Sequence, residues 1–297
     1  MLAAVTAMGA EMQRVARVGL GMTSALMLAA VGAIFGAAAP LAAQGLAAAS
    51  SRGRRVTPAF EGWYPNKDGS FSISFGYYNR NSDEVVDIPV GPENFVSPGD
   101  ANQGQPTRFY NKRNWGVFAV RVPADFGDKK IVWTLKLRGE TFAIAGSLRP
   151  EWQIDALEGE AGSGNTPPAL KFSETGPEGS GPAGITVGPL KATVGVALPV
   201  TVWATDDGNY FGSIASDGRP VPVTLAWFKH QGPGDVTFSA PTARLTPTGG
   251  KATTNATFDK PGDYIIRVRA NDASGVAPAG HSQCCWTNGF VRVTVSQ

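Results

Sequence analysis

From residue 56 onward apolar side chains fall at every second position, and the 3.6-residue spacing of a helix hardly recurs. Phe71, Ile73, Phe75 and Tyr77 alternate with Ser70, Ser72, Ser74 and Gly76, which predicts a strand buried on one face. Phe118, Val120 and Val122 repeat the pattern, and Ile131, Trp133, Leu135 and Leu137 alternate with Val132, Thr134, Lys136 and Arg138. Turn signals separate these runs at Lys67-Asp68-Gly69, Phe126-Gly127-Asp128 and Arg138-Gly139-Glu140. Residues 56–156 therefore predict one antiparallel β-sandwich domain. Its longest irregular stretch, Pro89 to Asn114, is of the length that in a compact domain is usually functional or bound to something.

Residues 157–184 change character. Two Gly-rich segments bracket a short apolar piece, Leu170 to Phe172, and the composition predicts a linker stiffened in part by proline. Pro167, Pro168 and Leu170 are also compatible with an extended strap along a domain surface. The alternation resumes over residues 185–297: Val200, Val202, Ala204; Val223, Leu225, Trp227; Tyr264, Ile266, Val268, Ala270; Val291, Val293, Val295. With strands near Val236–Phe238 and Ala252–Phe258, about seven strands in ~110 residues fit an immunoglobulin-like sandwich. The expected fold class is all-β: two antiparallel sandwiches joined by a Gly/Pro-rich linker, after an export signal.

The run Pro261-Gly262-Asp263-Tyr264 followed by Ile265 to Asp272 resembles the late strands of PKD-like and related Ig-like bacterial domains. In that resemblance Trp227 is the core tryptophan of the third strand and Tyr264 the corner tyrosine. Trp227-Phe228-Lys229-His230 departs from the usual Trp-Asp-Phe-Gly-Asp. The resemblance implies fold and an extracellular habit, and no function follows from it. Phe60-Glu61-Gly62-Trp63-Tyr64 resembles a pentapeptide of carotenoid hydratase-like and tocopherol cyclase-like lipid enzymes, but an aromatic-rich first strand is the preferred reading.

Residues 1–49 form a separate object. Arg14 and Arg17 precede an uncharged, Ala-rich apolar run, with small residues before candidate cleavage points after Ala43 and Ala49. That is the pattern of a signal peptide, or failing cleavage an anchor. The whole chain has 26 basic and 24 acidic residues; without Arg14, Arg17 and Glu11 the net charge falls from +2 to +1. A nearly neutral exported protein gives no field to attract nucleic acid.

Candidate chemistry is sparse, with two Cys and two His in 297 residues. Cys284 and Cys285 are adjacent, and in an oxidising compartment the preferred reading is a vicinal disulfide. The alternatives are free or buried thiols, a bridge between two copies of the chain, and a soft-metal site from His230, His281, Cys284 and Cys285, which lacks the Cys-x-x-Cys spacing of zinc sites. Asp206-Asp207-Gly208-Asn209 and Asn271-Asp272 are read as solvated turns in preference to Ca²⁺ loops. No nucleophile elbow, His-Glu-x-x-His or phosphate loop occurs, so neither catalysis nor a cofactor is expected. Two non-catalytic classes remain. One is a carbohydrate-binding or metal-binding Ig-like module using aromatics such as Tyr77, Tyr78, Tyr110 and Trp115. The other, preferred, is a structural subunit with protein partners in a membrane complex, touching them through Tyr110, Arg113 and Trp115. Its place would be periplasmic and membrane-peripheral, or tethered by an uncleaved N-terminal segment. Taken whole, in overall build and export signal, the chain resembles the membrane-extrinsic β-rich subunits of some bacterial photosystems. That resemblance implies bracing of a reaction centre against its light-harvesting ring.

Overall fold

The computed structural model describes residues 50–157, 164–209, 222–272 and 284–297. The expected signal segment and His281 lie outside them. Residues 50–297 group into one compact unit. Its first half runs β1 (Val56–Pro65), β2 (Phe71–Asn79), β3 (Val86–Asp87), β4 (Asn94–Ser97), β5 (Arg108–Phe109), β6 (Lys112–Val122), β7 (Ile131–Leu137) and β8 (Glu140–Gly146), then a single 3-10 turn at Pro150–Trp152. No helix among the described residues is long and apolar enough to cross a membrane.

Two three-stranded antiparallel sheets, ordered β1-β2-β6 and β4-β7-β8, face each other, and the short β3-β5 pair lies beside them. The alternating set of β2 meets Phe118 and Trp133 in the core, with Phe75 stacked on Phe118 at 5.4 Å and Trp133 edge-on to Phe118 at 5.0 Å. The β7–β8 hairpin closes in two residues, Arg138 and Gly139, both at positive φ. That is the primed turn whose twist matches a hairpin. One expectation changes. Ser72, Ser74 and Gly76 are buried as well, so β2 is covered on both faces. Over Gly76 the second cover is Glu61 and Arg113, and the neighbouring β1 is covered by the segment after the 3-10 turn, where the Ile154 N–H donates to the Trp63 carbonyl and Ile154 packs with Tyr64.

The second half runs β9 (Ala169–Lys171), β10 (Ile185–Thr193), β11 (Leu198–Thr205), β12 (Thr224–Gln231), β13 (Val236–Phe238), β14 (Thr242–Arg244), β15 (Gly249–Phe258), β16 (Gly262–Asn271) and β17 (Trp286–Ser296). A five-stranded sheet, β10-β17-β16-β12-β14, packs on a four-stranded one, β13-β15-β11-β9. The first edge strand is divided between the sheets: β9 pairs with β11, and β10 runs parallel to β17. That division, Trp227 in the core, and the Tyr264 hydroxyl donating to the Lys260 carbonyl at 2.9 Å make this an Ig-like sandwich. Within the segment read as a linker, β9 is a strand of the sheet and Leu170 is fully buried in the core. Its three residues are too few for alternation to reveal.

Candidate functional site

The inward residues of β16 are Tyr264, Ile266, Val268 and Ala270. The other set therefore projects from the sheet's outer face: Ile265, Arg267 and Arg269. Arg267 is paired in register with Phe228 on β12 and Phe290 on β17, and its guanidinium lies 4.6 Å from the Phe228 ring centre. This face meets the first half of the chain. The Trp286 indole and the Asn288 amide both donate to the Gly116 carbonyl, at 3.3 and 2.7 Å. The Tyr110 hydroxyl donates to the Lys229 carbonyl and accepts from its N–H, at 3.3 and 3.0 Å, with its ring edge-on to Phe228 at 5.3 Å.

Two β-bulges build the first half's side of this junction. The β1 register slips between Phe60 and Gly62, and β2–β6 pairing slips between Phe75 and Tyr77. Bulges re-aim side chains. Glu61 is thereby turned under Arg113, 2.8 Å from its guanidinium, while Arg113 lies 3.7 Å over the Trp115 ring. Glu61 is only 2% exposed. Burial pushes its carboxyl up to about 7, against the Arg113 charge and the Gly116 N–H, which favour the ionised form.

The long loop after β4 completes the contact. Asn102 and Gln231 exchange amide hydrogen bonds at 3.3 and 3.0 Å, and Gln231 also donates to the Gln105 carbonyl at 2.6 Å. The Thr107 N–H donates to the His230 carbonyl at 2.8 Å. His230 is buried with Nε2 2.7 Å from the Gly104 carbonyl oxygen, so Nε2 carries the proton. Burial, reinforced by the Arg267 charge, pushes its pKa down to about 3. A groove of about 720 Å³ opens beside this loop, with Phe118, Phe290, Asn102, Gln103, Gln231 and Arg292 among its lining.

The sequence-derived candidates divide among these places. Tyr110 and Arg113 lie at the junction with their polar groups engaged inside the chain, and Trp115 is half-buried beneath Arg113. Cys284 and Cys285 are buried side by side, sulfur next to sulfur, with the Asn165 amide 3.3 Å from the Cys285 sulfur. His230 belongs to the loop contact. Asp207 caps Thr166 through its N–H and hydroxyl, at 3.1 and 2.8 Å, and Asp206 accepts from the Gly208 N–H at 3.0 Å. Among the described residues no group of three or more His, Cys, Asp or Glu side chains is placed to hold a metal ion. Sequence reasoning missed Arg267, Arg269, Glu61 and Gly116. Cations alternating along β16 look like a solvated face; the available signal was the aromatic company of Phe228, Trp286 and Phe290 on flanking strands.

No protein-family model matches the chain, and no curated protein does. Solved structures with partial overlap include the D00–D0 domains of intimin (12% identity, 81% of this chain and 100% of that one, TM-score 0.25). Others are domains 4 and 5 of the S-layer protein SbsC (9%, 74% and 98%, 0.25) and the titin pair A164–A165 (10%, 82% and 99%, 0.22). At these scores the fold assignment rests on the strand order given above.

Proposed function

We propose that the protein is a non-catalytic structural subunit of an exported assembly, membrane-extrinsic, bracing a larger membrane complex on its periplasmic face. The observation that carries this reading is a strip along β2 and β6. Arg80 lies 4.9 Å over Tyr78, Tyr78 is the register partner of Arg113, and Arg113 lies over Trp115. Tyr78 is 38% exposed. Tyr, Trp and Arg anchor interfaces because they combine large area with hydrogen bonding. Trp115 of the strip directly precedes Gly116, whose carbonyl takes the bonds from the second half, which supports the reading, since a brace must hold its partners at fixed separation. In this reading Tyr110 fixes the base of the strip, and Arg113 and Trp115 meet the partner. A photosynthetic reaction centre–antenna complex is the narrower form of the host, and overall build alone supports it. Oxidation of Cys284 and Cys285 to each other belongs to the same exported setting.

Gentle detergent extraction followed by native sizing tests the proposal. The wild-type chain is expected to migrate with a larger complex, and Tyr78→Glu with Trp115→Ala to migrate alone. A wild-type chain that always runs at its own mass from untreated membranes overturns it. A second reading, carbohydrate binding, has one observation in its favour: the groove sets two phenylalanines beside three amides and Arg292. Retardation on polysaccharide gels, without a membrane partner, would favour it.

A further inference from the structure

Three other cations of the junction have a carboxylate. Arg113 pairs with Glu61, Arg108 with Asp87 and Asp235, and Lys229 with Asp87. Among the described residues Arg267 and Arg269 pair with none. Arg267 is 2% exposed, its one hydrogen bond is a 3.4 Å contact to the Asn288 amide oxygen, and its Nε has no partner among the described residues. The Nε of Arg269 is likewise buried without a partner. Two residues apart on one strand, the two guanidiniums project side by side and share the Phe228 ring, at 4.6 and 5.7 Å. Stacking satisfies the faces of a guanidinium and leaves its in-plane N–H donors unspent. Tyr77, also buried, adjoins Tyr110, whose ring packs edge-on against the same Phe228 ring at 5.3 Å. Its oxygen already accepts from the Tyr110 N–H at 2.9 Å, so its proton is a further donor. Two adjacent like charges, one buried and one half-buried, with donors and no acid among the described residues, call for a compact anion with several acceptor oxygens.

We propose that Arg267, Arg269 and Tyr77 form a binding site for a small inorganic oxyanion of the sulfate or phosphate class, held between the two sandwiches. This goes beyond the docking role, which concerns the outer strip. The ion supplies the missing counter-charge and so couples the two halves. The guanidiniums and the tyrosine hydroxyl donate to the four oxygens of the ion, each of which can accept more than one hydrogen bond.

The probe is inorganic sulfate. Equilibrium dialysis of the purified wild-type protein against radiolabelled sulfate is expected to show saturable binding of one equivalent. Thermal unfolding should rise with sodium sulfate above sodium chloride at equal ionic strength. Arg269→Met, which keeps the packing bulk, should weaken binding by at least about tenfold. Tyr77→Phe should weaken it less while leaving the fold intact. Absence of saturable binding to the wild-type protein overturns the proposal, even if an arginine variant fails to fold. Undiminished binding by a folded Arg269→Met protein overturns it too. Chloride stabilising as well as sulfate would overturn the oxyanion class.

Discussion

Gly116 joins the two halves through its own backbone. Its N–H serves the Glu61 carboxylate and its carbonyl accepts from Trp286 and Asn288, at a φ of 45°. A Cβ at this position would overlap the Trp286 indole. Gly116→Ala should therefore destabilise through both strained backbone and overpacking, by about 1–3 kcal/mol, read as a lowered urea midpoint. Two buried titratable groups nearby work in opposite directions with pH. Glu61, raised from 4.5 to about 7, binds its proton more readily folded than unfolded. Its contribution is full below about 4.5 and is lost as pH rises through 7. His230, lowered from 6.5 to about 3, is the reverse: its contribution is full above 6.5 and lost as pH falls toward 3. Relative to wild type, Glu61→Gln should gain stability as pH rises from about 4.5 to 7, and His230→Gln should gain as pH falls from about 6.5 to 3. Urea midpoints measured across this range decide it; variant-minus-wild-type curves that stay flat would show that neither side chain is coupled to folding. Cys284 and Cys285 give a separate check. Mass spectrometry of the exported protein's Trp286-containing peptide should find it two hydrogens light, and alkylation of both thiols without reductant would contradict the pairing.

At the scale of the element, β16 shows how one strand serves two interfaces. Its inward set was legible from alternation alone, as were the inward sets of β7, β11 and β17, because one apolar face leaves a period of two in the sequence. The outer set was not legible. Arg267 reads as solvent-facing until residues more than a hundred positions away cover it, and alternation carries no information about that cover. The same reason hid the burial of Ser72 and Ser74. The Pro89–Asn114 stretch, expected to be irregular, contains β4, β5 and the start of β6, pieces too short for alternation to reveal, and its loop after β4 binds β12 of the same chain. Its hold depends on Gln231, whose amide makes two donations into the loop. Gln231→Ala leaves the Gln105 carbonyl and the Asn102 amide without that partner, a loss of about 1–3 kcal/mol. Hydrogen exchange should show it first over Asn102–Thr107, ahead of the sandwich cores. Equal protection of that loop in the variant and wild type would mean that the Gln231 amide contributes nothing to docking.

On the scale of the whole molecule, the junction decides whether two sandwiches behave as one body. Separated, the second sandwich would expose Trp286, Phe228 and Phe290 on one sheet face, and the first would leave the Gly116 carbonyl and the Tyr110 hydroxyl without their partners. Each half has its own apolar core, so independent folding is open to it on burial alone. The polar junction adds a term present only when both halves are folded, and a shared term of that kind merges two transitions into one. Calorimetry of the wild-type chain is therefore expected to show a single endotherm with equal calorimetric and van't Hoff enthalpies. Gly116→Val, which wedges the junction while leaving both cores intact, should divide it into two. Two resolved transitions in the wild type would mean that the sandwiches are tethered neighbours, and a brace that must hold fixed separation could not be built from them.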